Sequence, residues 1–182
     1  MKSSYNNTIT YKELLEGIVF CKNPKTIIEF GILEGVSLKA FIENSNSTCD
    51  IKAFDIFEEF NGNSANKEIL LNIFSKFENV KIEYGDFYEK YKNIENNSID
   101  LLHIDIANNG DVLEFTIENY LSKISNNGLL IFEGGSDERD NIEWMNKYNK
   151  PKINPIIEKY KNIYDIKIIG SLPSITLIKK IK

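Results

Sequence analysis

The sequence predicts one α/β domain, with seven strands in a mostly parallel sheet, helices on both faces and an antiparallel hairpin at the C-terminal end. Two observations support this fold class. Short apolar runs alternate with amphipathic segments along most of the chain, which is typical of a parallel sheet buried on both faces. The last two runs are separated only by residues 170–173, a connection too short for a parallel crossover.

Local signals predict each element in turn. Thr10 and Glu13 form a capping box that predicts a helix from residue 10 to about residue 20, and Pro24 marks the turn into the first strand. The predicted strands are 26–30, 51–56, 80–84, 99–104, 129–132, 163–169 and 174–181, and a turn over 126–128 precedes the fifth. The predicted helices are 36–43, 65–77, 112–124, 142–148 and a short one that starts at 154–155.

The composition indicates a single globular unit. A length of 182 residues fits one domain with a full core, and 42% hydrophobic with 27% charged residues is typical of a globular protein. No linker or change in composition divides the chain. We therefore predict one domain over 1–182, in which an N-terminal helical segment (1–22) precedes the core (23–182).

Charge and cysteine content argue against several functions. The net charge of −5 and the lack of a Lys/Arg cluster disfavour a nucleic-acid partner. Cys21 and Cys49 have no CxxC spacing, so we expect two reduced thiols. The first residues lack the apolar core of a signal peptide, and no apolar run is long enough to cross a bilayer. We therefore expect a cytoplasmic protein with no membrane partner.

The turn after the first predicted strand, EFGILEGVS, is the strongest functional signal. Gly31 and Gly35 lie in the turn, and Ser37 lies at the start of the next helix. Glycines in such a turn let a ligand approach the backbone, and a helix start has unpaired N–H groups. Glu29 and Glu34 make the turn acidic, which disfavours a phosphate and favours hydroxyls and ammonium or sulfonium cations.

Acidic residues are predicted at the carboxyl ends of five strands. Ligands of an open parallel sheet bind at those ends, near the point where the strand order reverses. One or two such residues could be helix N-caps, but chance capping does not explain all five. The five residues are Glu29, Asp55, Asp86, Asp105 and Glu133.

The residues after the second and third strands each allow two interpretations. Asp55 lies about 20 residues after the glycine turn. At that spacing, an acidic residue commonly binds both hydroxyls of a ribose. Phe54, Ile56 and Phe57 pack either on an adenine ring or in the core. Asp86 either accepts a hydrogen bond from an adenine amino group or caps the helix that follows it.

Together these motifs resemble a class I S-adenosylmethionine-dependent methyltransferase. EFGILEGVS, AFDIF, EYGD, IDLLHID and the antiparallel end cover roughly 26–180. The nearest similarity is to the small-molecule branch with catechol-O-methyltransferase-like, macrocin-type and cephalosporin-hydroxylase-type enzymes. The resemblance implies a Rossmann-like fold, with methionine at the first turn, ribose at the second strand and adenine at the third. The implied cofactor-binding residues are Glu29, Gly31, Gly35, Ser37, Asp55, Ile56, Asp86 and Asp105.

The catalytic side is expected around Asp105, His103 and Glu133. Related enzymes often have a histidine a few residues after the fourth-strand aspartate, whereas this chain has asparagine there. His103, the only histidine, lies on the same side of the strand as Asp105 and is either a core residue or a general base. Asp105 and Glu133 are also oxygen ligands suited to Mg²⁺ or another divalent cation, with a third ligand from 108–111.

The loop after the fifth strand has two interpretations. In one, Ser136 caps the next helix and the acidic residues after it complement the helix dipole. In the other, the loop covers the acceptor, and Arg139 binds a carboxylate or phosphate of the substrate. Trp144 either forms a wall of the same pocket or fills the core.

We therefore expect an O-methyltransferase that acts on a small polar acceptor, such as a sugar or secondary metabolite. Two alternatives are a nicotinamide-dependent oxidoreductase and a non-catalytic methyltransferase-like module. The first is disfavoured because GILEG is not GxGxxG and acidic residues occupy the place of the pyrophosphate. Because so short a chain has little room for a lid, the acceptor pocket is expected to draw on the segment before Thr10 or on a second subunit of a homodimer.

Overall fold

The computed structural model describes residues 9–59 and 62–181 and contains one seven-stranded sheet. The strands are β1 (Thr26–Phe30), β2 (Asp50–Asp55), β3 (Val80–Tyr84), β4 (Ile99–Ile104), β5 (Ile124–Glu133), β6 (Tyr164–Gly170) and β7 (Ser174–Lys180). Their order is β3-β2-β1-β4-β5-β7-β6. β7 pairs antiparallel with β5 and β6, and the remaining pairs are parallel. The predicted fold class is confirmed.

Eight α-helices are assigned among the described residues. They are α1 (Tyr11–Lys22), α2 (Val36–Asn44), α3 (Lys67–Phe74), α4 (Phe87–Lys90), α5 (Gly110–Tyr120), α6 (Asp137–Asp140), α7 (Glu143–Lys147) and α8 (Asn154–Tyr160). The predicted capping box of α1 is present, because Thr10 and Glu13 each bond the other's backbone N–H. Within 9–59 and 62–181, no helix has the length and apolar character needed to span a membrane. The segment before Thr10, apart from Ile9, lies outside the described residues.

The sheet is buried on both faces, as the continuous apolar runs predict. Ile27 of β1 packs in a cluster with residues of α1, α2 and α3. Its neighbours Ile28 and Phe30 pack in a second cluster with residues of α4, α5 and α8. Since successive residues of a strand point to opposite faces, a strand covered on both sides must be apolar nearly throughout. The central strands are therefore held by apolar packing on both faces. Polar side chains that could bind a ligand lie mainly at the strand ends.

One local prediction is wrong. The turn expected over 126–128 lies inside β5, which begins at Ile124. Ile124 pairs with Ile99, and the next pair joins Leu129 to Leu101, so the intervening residues form a bulge. The asparagine- and glycine-rich residues 126–128 do have an irregular backbone, but they interrupt β5 and do not precede it.

The two glycines of the first turn make room for protein atoms. Gly31 has a φ of +89°, and a Cβ there would lie 1.9 Å from the backbone oxygen of Asp105. Gly35 has a φ of +79°, and its Cβ would lie 2.8 Å from the ring of Phe74. The expectation that both glycines serve ligand approach is therefore incomplete, because the neighbouring strand and α3 already exclude a side chain.

We predict that Gly31→Ala lowers the free energy of unfolding by at least about 3 kcal/mol, because it combines a left-handed backbone with a clash against backbone. The matched control is Gly17→Ala in α1, where nothing lies within 4 Å of a new Cβ. It should raise stability by about 0.5–1 kcal/mol through helix propensity. Urea unfolding measures both, and a Gly31→Ala protein as stable as wild type contradicts the prediction.

Candidate functional site

A cavity of about 890 Å³ opens at the carboxyl ends of β1 to β4. The strand order reverses between β1 and β4, so the loops that follow these two strands diverge there. The volume is in the range of small-molecule sites. Strand-end residues on its wall are Phe30, Gly31, Phe54, Asp55, Ile56, Tyr84, Gly85, Asp86, Asp105 and Ile106.

The structure divides the predicted site residues into two sets. Six of them line the cavity: Gly31, Ser37, Asp55, Ile56, Asp86 and Asp105. The other four are absent from its wall: Glu29, Gly35, His103 and Glu133. Glu29 and His103 are fully buried, Gly35 faces α3, and Glu133 lies at the end of β5. A carboxylate at a strand end therefore does not by itself face the ligand space.

Asp55 is held rigidly at the cavity wall and is 7% exposed. Its Oδ2 accepts from the backbone N–H of Ile32 at 2.8 Å. Its Oδ1 accepts from the N–H of Phe57 and the side-chain amide of Asn63, each at 2.7 Å. These bonds use three of roughly four acceptor positions of a carboxylate. One position on Oδ2 remains for a ligand hydroxyl, and Asn63 itself lines the cavity.

Both interpretations of Asp86 are compatible with its position. Its Oδ1 accepts from the N–H of Tyr88 at 2.9 Å, so it caps α4, and it also lines the cavity. Ile56 and Tyr84 line the same part of the wall, whereas Phe57 is buried in the core. Phe54 is both a core residue and a cavity residue, because its ring packs on Phe30 and also lines the cavity. Apolar and aromatic wall residues together with a carboxylate suit a flat heteroaromatic ring.

The start of α2 and Asp105 present opposite charges to the cavity. The N-cap of α2 is Gly35, which provides no side-chain acceptor for the first-turn N–H groups. A helix start carries a partial positive charge and binds anionic groups. Ser37 in that first turn lines the cavity, as does Asp105. The arrangement fits a ligand with both a carboxylate and an ammonium group, such as a free amino acid.

The Asp105 carboxyl titrates close to neutrality. Burial raises its pKa to about 6; the nearby His103 opposes this shift, and the charge of Glu133 adds to it. A buried carboxylate is stabilised by a cation. Asp105 is therefore suited to bind a ligand ammonium above pH 6.

The expected divalent-cation site does not fit this arrangement. Both carboxylate oxygens of Glu133 accept from Arg139, at 2.8 Å from Nε and 2.9 Å from Nη2. Asn108 is fully buried and bonds backbone groups, and Asn109 caps α5. Among the residues that the structure describes, no three His, Cys, Asp or Glu side chains are grouped to hold a metal. The geometry disfavours the metal predicted on Asp105 and Glu133, because the Arg139 guanidinium supplies the compensating charge for Glu133.

His103 reaches the cavity only through another residue. It is fully buried, with Nδ1 at 3.0 Å from Oε1 of Glu29 and Nε2 at 2.9 Å from the hydroxyl of Tyr11. Tyr11 lies in α1 and lines the cavity. Sequence reasoning missed Tyr11, because no local pattern connects residues separated by 92 positions. His103 therefore has the burial of a core residue, and a role as general base would have to act through Tyr11.

The loop after β5 and α7 contribute residues to the cavity wall. Ser136 caps α6, as one interpretation proposed, by accepting from the N–H of Arg139 at 3.0 Å. Arg139, Ile142, Trp144 and Lys150 nevertheless line the cavity, so the loop and α7 also form a wall. Trp144 is a wall residue and does not fill the core.

A family model described as a methyltransferase domain matches residues 28–133, more than half of the chain. That range contains all five acidic strand-end residues. Among curated protein sequences, none matches this chain.

Solved structures with the same fold include three methyltransferases. One from Geobacter sulfurreducens is 16% identical with a TM-score of 0.66, over 97% of this chain and 80% of that one. The Bacillus cereus O-methyltransferase in complex with SAH is 18% identical with a TM-score of 0.66, over 98% and 84%. TomG, the Streptomyces achromogenes O-methyltransferase of tomaymycin synthesis in complex with SAM, is 12% identical with a TM-score of 0.68, over 96% and 82%. At these identities the likeness concerns the fold.

We predict that Asp105→Asn is more stable than wild type at pH 7.5 by about 3 kcal/mol. Because the native pKa of about 6 exceeds the ordinary value of 3.8, the unfolded state gains relative stability as pH rises from 4 to 6. The advantage of Asp105→Asn should therefore vanish below pH 4. Urea unfolding at both pH values measures it, with Asp165→Asn on exposed β6 as the control. An advantage that is equal at both pH values contradicts the prediction.

Proposed function

Because the chain belongs to the methyltransferase-domain family, we propose that it transfers a methyl group from S-adenosylmethionine to a hydroxyl of a small polar acceptor. The family membership confirms the resemblance drawn from the sequence motifs. The observation that carries the proposal is one cavity in which Asp55, Asp105 and the uncapped start of α2 face the same space. These groups complement the ribose and the amino-acid part of that methyl donor.

Each part of the donor has a matching part of the wall. Its carboxylate binds the first-turn N–H groups of α2, and its ammonium pairs with Asp105. One ribose hydroxyl donates to the remaining acceptor position on Oδ2 of Asp55, and the adenine lies between Ile56 and Tyr84 with Asp86 at its edge. The Bacillus and Streptomyces relatives, whose structures contain SAH and SAM, support the same donor.

The acceptor enters from the end lined by Arg139, Ile142 and Trp144. Methyl transfer is an in-line displacement at a carbon that the sulfonium already activates. The protein must therefore align the acceptor oxygen with the methyl group and remove the acceptor proton. A hydroxyl acceptor is preferred because two of the described relatives are O-methyltransferases. A sugar or secondary metabolite is the acceptor class that we propose.

The two alternative functions are not equally compatible with membership of the methyltransferase-domain family. Family membership argues against the nicotinamide-dependent oxidoreductase, as does the acidic loop where a pyrophosphate would lie. The non-catalytic module shares the fold and the donor site, so only an assay of methyl transfer separates it. Tyr11, Lys12 and Leu15 line the cavity, which gives the N-terminal helical segment a part in the site without requiring a homodimer.

We predict that wild type binds SAH with a sub-millimolar Kd in titration calorimetry at pH 7.5. Asp105→Asn should weaken binding at least about tenfold, since it removes a charge-assisted bond to the ammonium. Wild-type affinity should fall as pH drops below 6, because protonation of Asp105 removes the same charge. Asp165→Asn is the matched control and should bind as wild type does. No binding of SAH by wild type at 1 mM, or tight binding of NADH, contradicts the proposal.

We further predict that methyl-labelled S-adenosylmethionine transfers label to small molecules in a deproteinised extract of the source cell. The product should gain one methyl group on oxygen, as fragment masses in mass spectrometry report. Asp105→Ala should lose this transfer, whereas Asp165→Asn should retain it. Binding of SAH without any transfer to the extract contradicts the enzymatic proposal and favours the non-catalytic module.

A further inference from the structure

A hydrogen-bonded chain, formed by Tyr11, His103, Glu29 and Ser37, connects two points of the cavity wall through the core. The Tyr11 hydroxyl lies 2.9 Å from Nε2 of His103, and Nδ1 of His103 lies 3.0 Å from Oε1 of Glu29. Ser37 donates its hydroxyl to the same Oε1. Only the two ends of this four-residue chain, Tyr11 and Ser37, line the cavity.

The middle of the chain lies in an apolar environment. Glu29 and His103 are both 0% exposed, and the ring of Phe41 packs edge-on against His103 at 5.2 Å. Oε2 of Glu29 has no hydrogen-bond partner in the described structure. Apolar residues of similar volume at such a place often give equal or higher stability. The pair is therefore poorly explained as a stabilising element of the sheet.

The partners of His103 determine which nitrogen carries the proton. If Glu29 is ionised and the imidazole is neutral, the carboxylate can only accept and Nδ1 is the nitrogen that donates to it. Nε2 then has a free lone pair and accepts from the Tyr11 hydroxyl. This order of carboxylate, imidazole and hydroxyl is the arrangement that activates a hydroxyl in hydrolase triads. Here the activated hydroxyl belongs to a tyrosine in a cavity wall.

We propose that Tyr11 is the catalytic residue that removes the proton from the acceptor hydroxyl and passes its own proton to His103, an inference that rests on the proposed methyl transfer. The acceptor oxygen forms a bond to the methyl carbon as the carbon–sulfur bond breaks, and sulfur keeps the electron pair. The acceptor proton moves to the Tyr11 oxygen, and the original Tyr11 proton moves to Nε2. The positive charge lost by the sulfonium appears on His103 beside Glu29.

The charges around Tyr11 favour a relay over a free phenolate. Burial raises the pKa of the Tyr11 phenol, and the negative charges of Asp105, Glu133 and Glu29 raise it further. The group therefore stays protonated before the reaction, and it can accept a proton only while it gives one away. Asp105 is the competing base in this wall, but in the proposed complex it already pairs with the donor ammonium. His103 and Glu29 act through Tyr11 and are positioning residues.

The first test observes the chain directly and needs no acceptor. His103 is the only histidine, so a ¹⁵N-labelled sample has a single imidazole to report. In ligand-free protein at pH 7 we expect a protonated Nδ1 and an unprotonated, hydrogen-bonded Nε2. Tyr11→Phe should shift the Nε2 resonance downfield, and Tyr160→Phe, which lies outside the cavity wall, should not. A protonated Nε2 in wild type, or no response to Tyr11→Phe, overturns the proposal.

The second test measures methyl transfer at saturating labelled S-adenosylmethionine with the extract as acceptor. Tyr11→Phe should lower the rate at least about 100-fold, as expected for loss of general-base catalysis, with SAH affinity within about threefold of wild type. His103→Gln should lower the rate by a similar factor. The double variant should be only slightly slower than either single variant, because each single substitution already breaks the same relay. Tyr160→Phe is the control and should keep the wild-type rate.

The outcomes separate this inference from the function on which it rests. If wild type binds SAH and transfers label, but Tyr11→Phe transfers at a rate within about threefold of wild type, the relay is wrong and the methyltransferase proposal stands. If wild type fails to bind SAH, the proposed function itself is wrong and the relay loses its role. If Tyr11→Phe folds poorly, His103→Gln replaces it in this test. A rate of methyl transfer by His103→Gln within about threefold of wild type then contradicts the relay.

Discussion

The close approach of β1 and β4 at their carboxyl ends determines the rest of the site. The backbone oxygen of Asp105 lies only 1.9 Å from the place where a Cβ on residue 31 would be, so this position must be glycine. The left-handed turn at Gly31 then places the N–H of Ile32 on Asp55, which joins the tips of β1 and β2. The same turn leads to the uncapped start of α2. One steric constraint thus brings two carboxylates and a helix start to one cavity.

The acidic strand ends serve different purposes on the two sides of the cavity wall. Asp55, Asp86 and Asp105 line the cavity and match hydroxyl, amino and ammonium groups of the proposed methyl donor. Glu29 lies behind the wall with His103, and Glu133 is neutralised by Arg139. Separating the negative charges in this way leaves Asp105 for a cationic donor and places Glu29 beside the buried imidazole of the proposed relay.

Most of the fold and part of the site could be predicted from the sequence. Continuous apolar runs and the short final connection determined the sheet, and the acidic strand ends located the cavity. The direction of Glu29 could not be predicted, because a strand buried on both faces has no alternation to show which side is polar. The contact between Tyr11 and His103 could not be predicted either, because it joins distant segments of the chain. From residue types alone, Glu133 beside Asp105 suggests a metal site, and only the structure shows that Glu133 pairs with Arg139.

A crystal structure of the protein with bound SAH is the most direct test of the central claim, because it shows where each part of the donor lies. We predict the ligand carboxylate at the first turn of α2, its ammonium on Asp105 and one ribose hydroxyl on Asp55. Its sulfur should point toward the end of the cavity lined by Tyr11, Arg139 and Trp144. SAH bound in the reverse direction, or outside this cavity, would contradict the account.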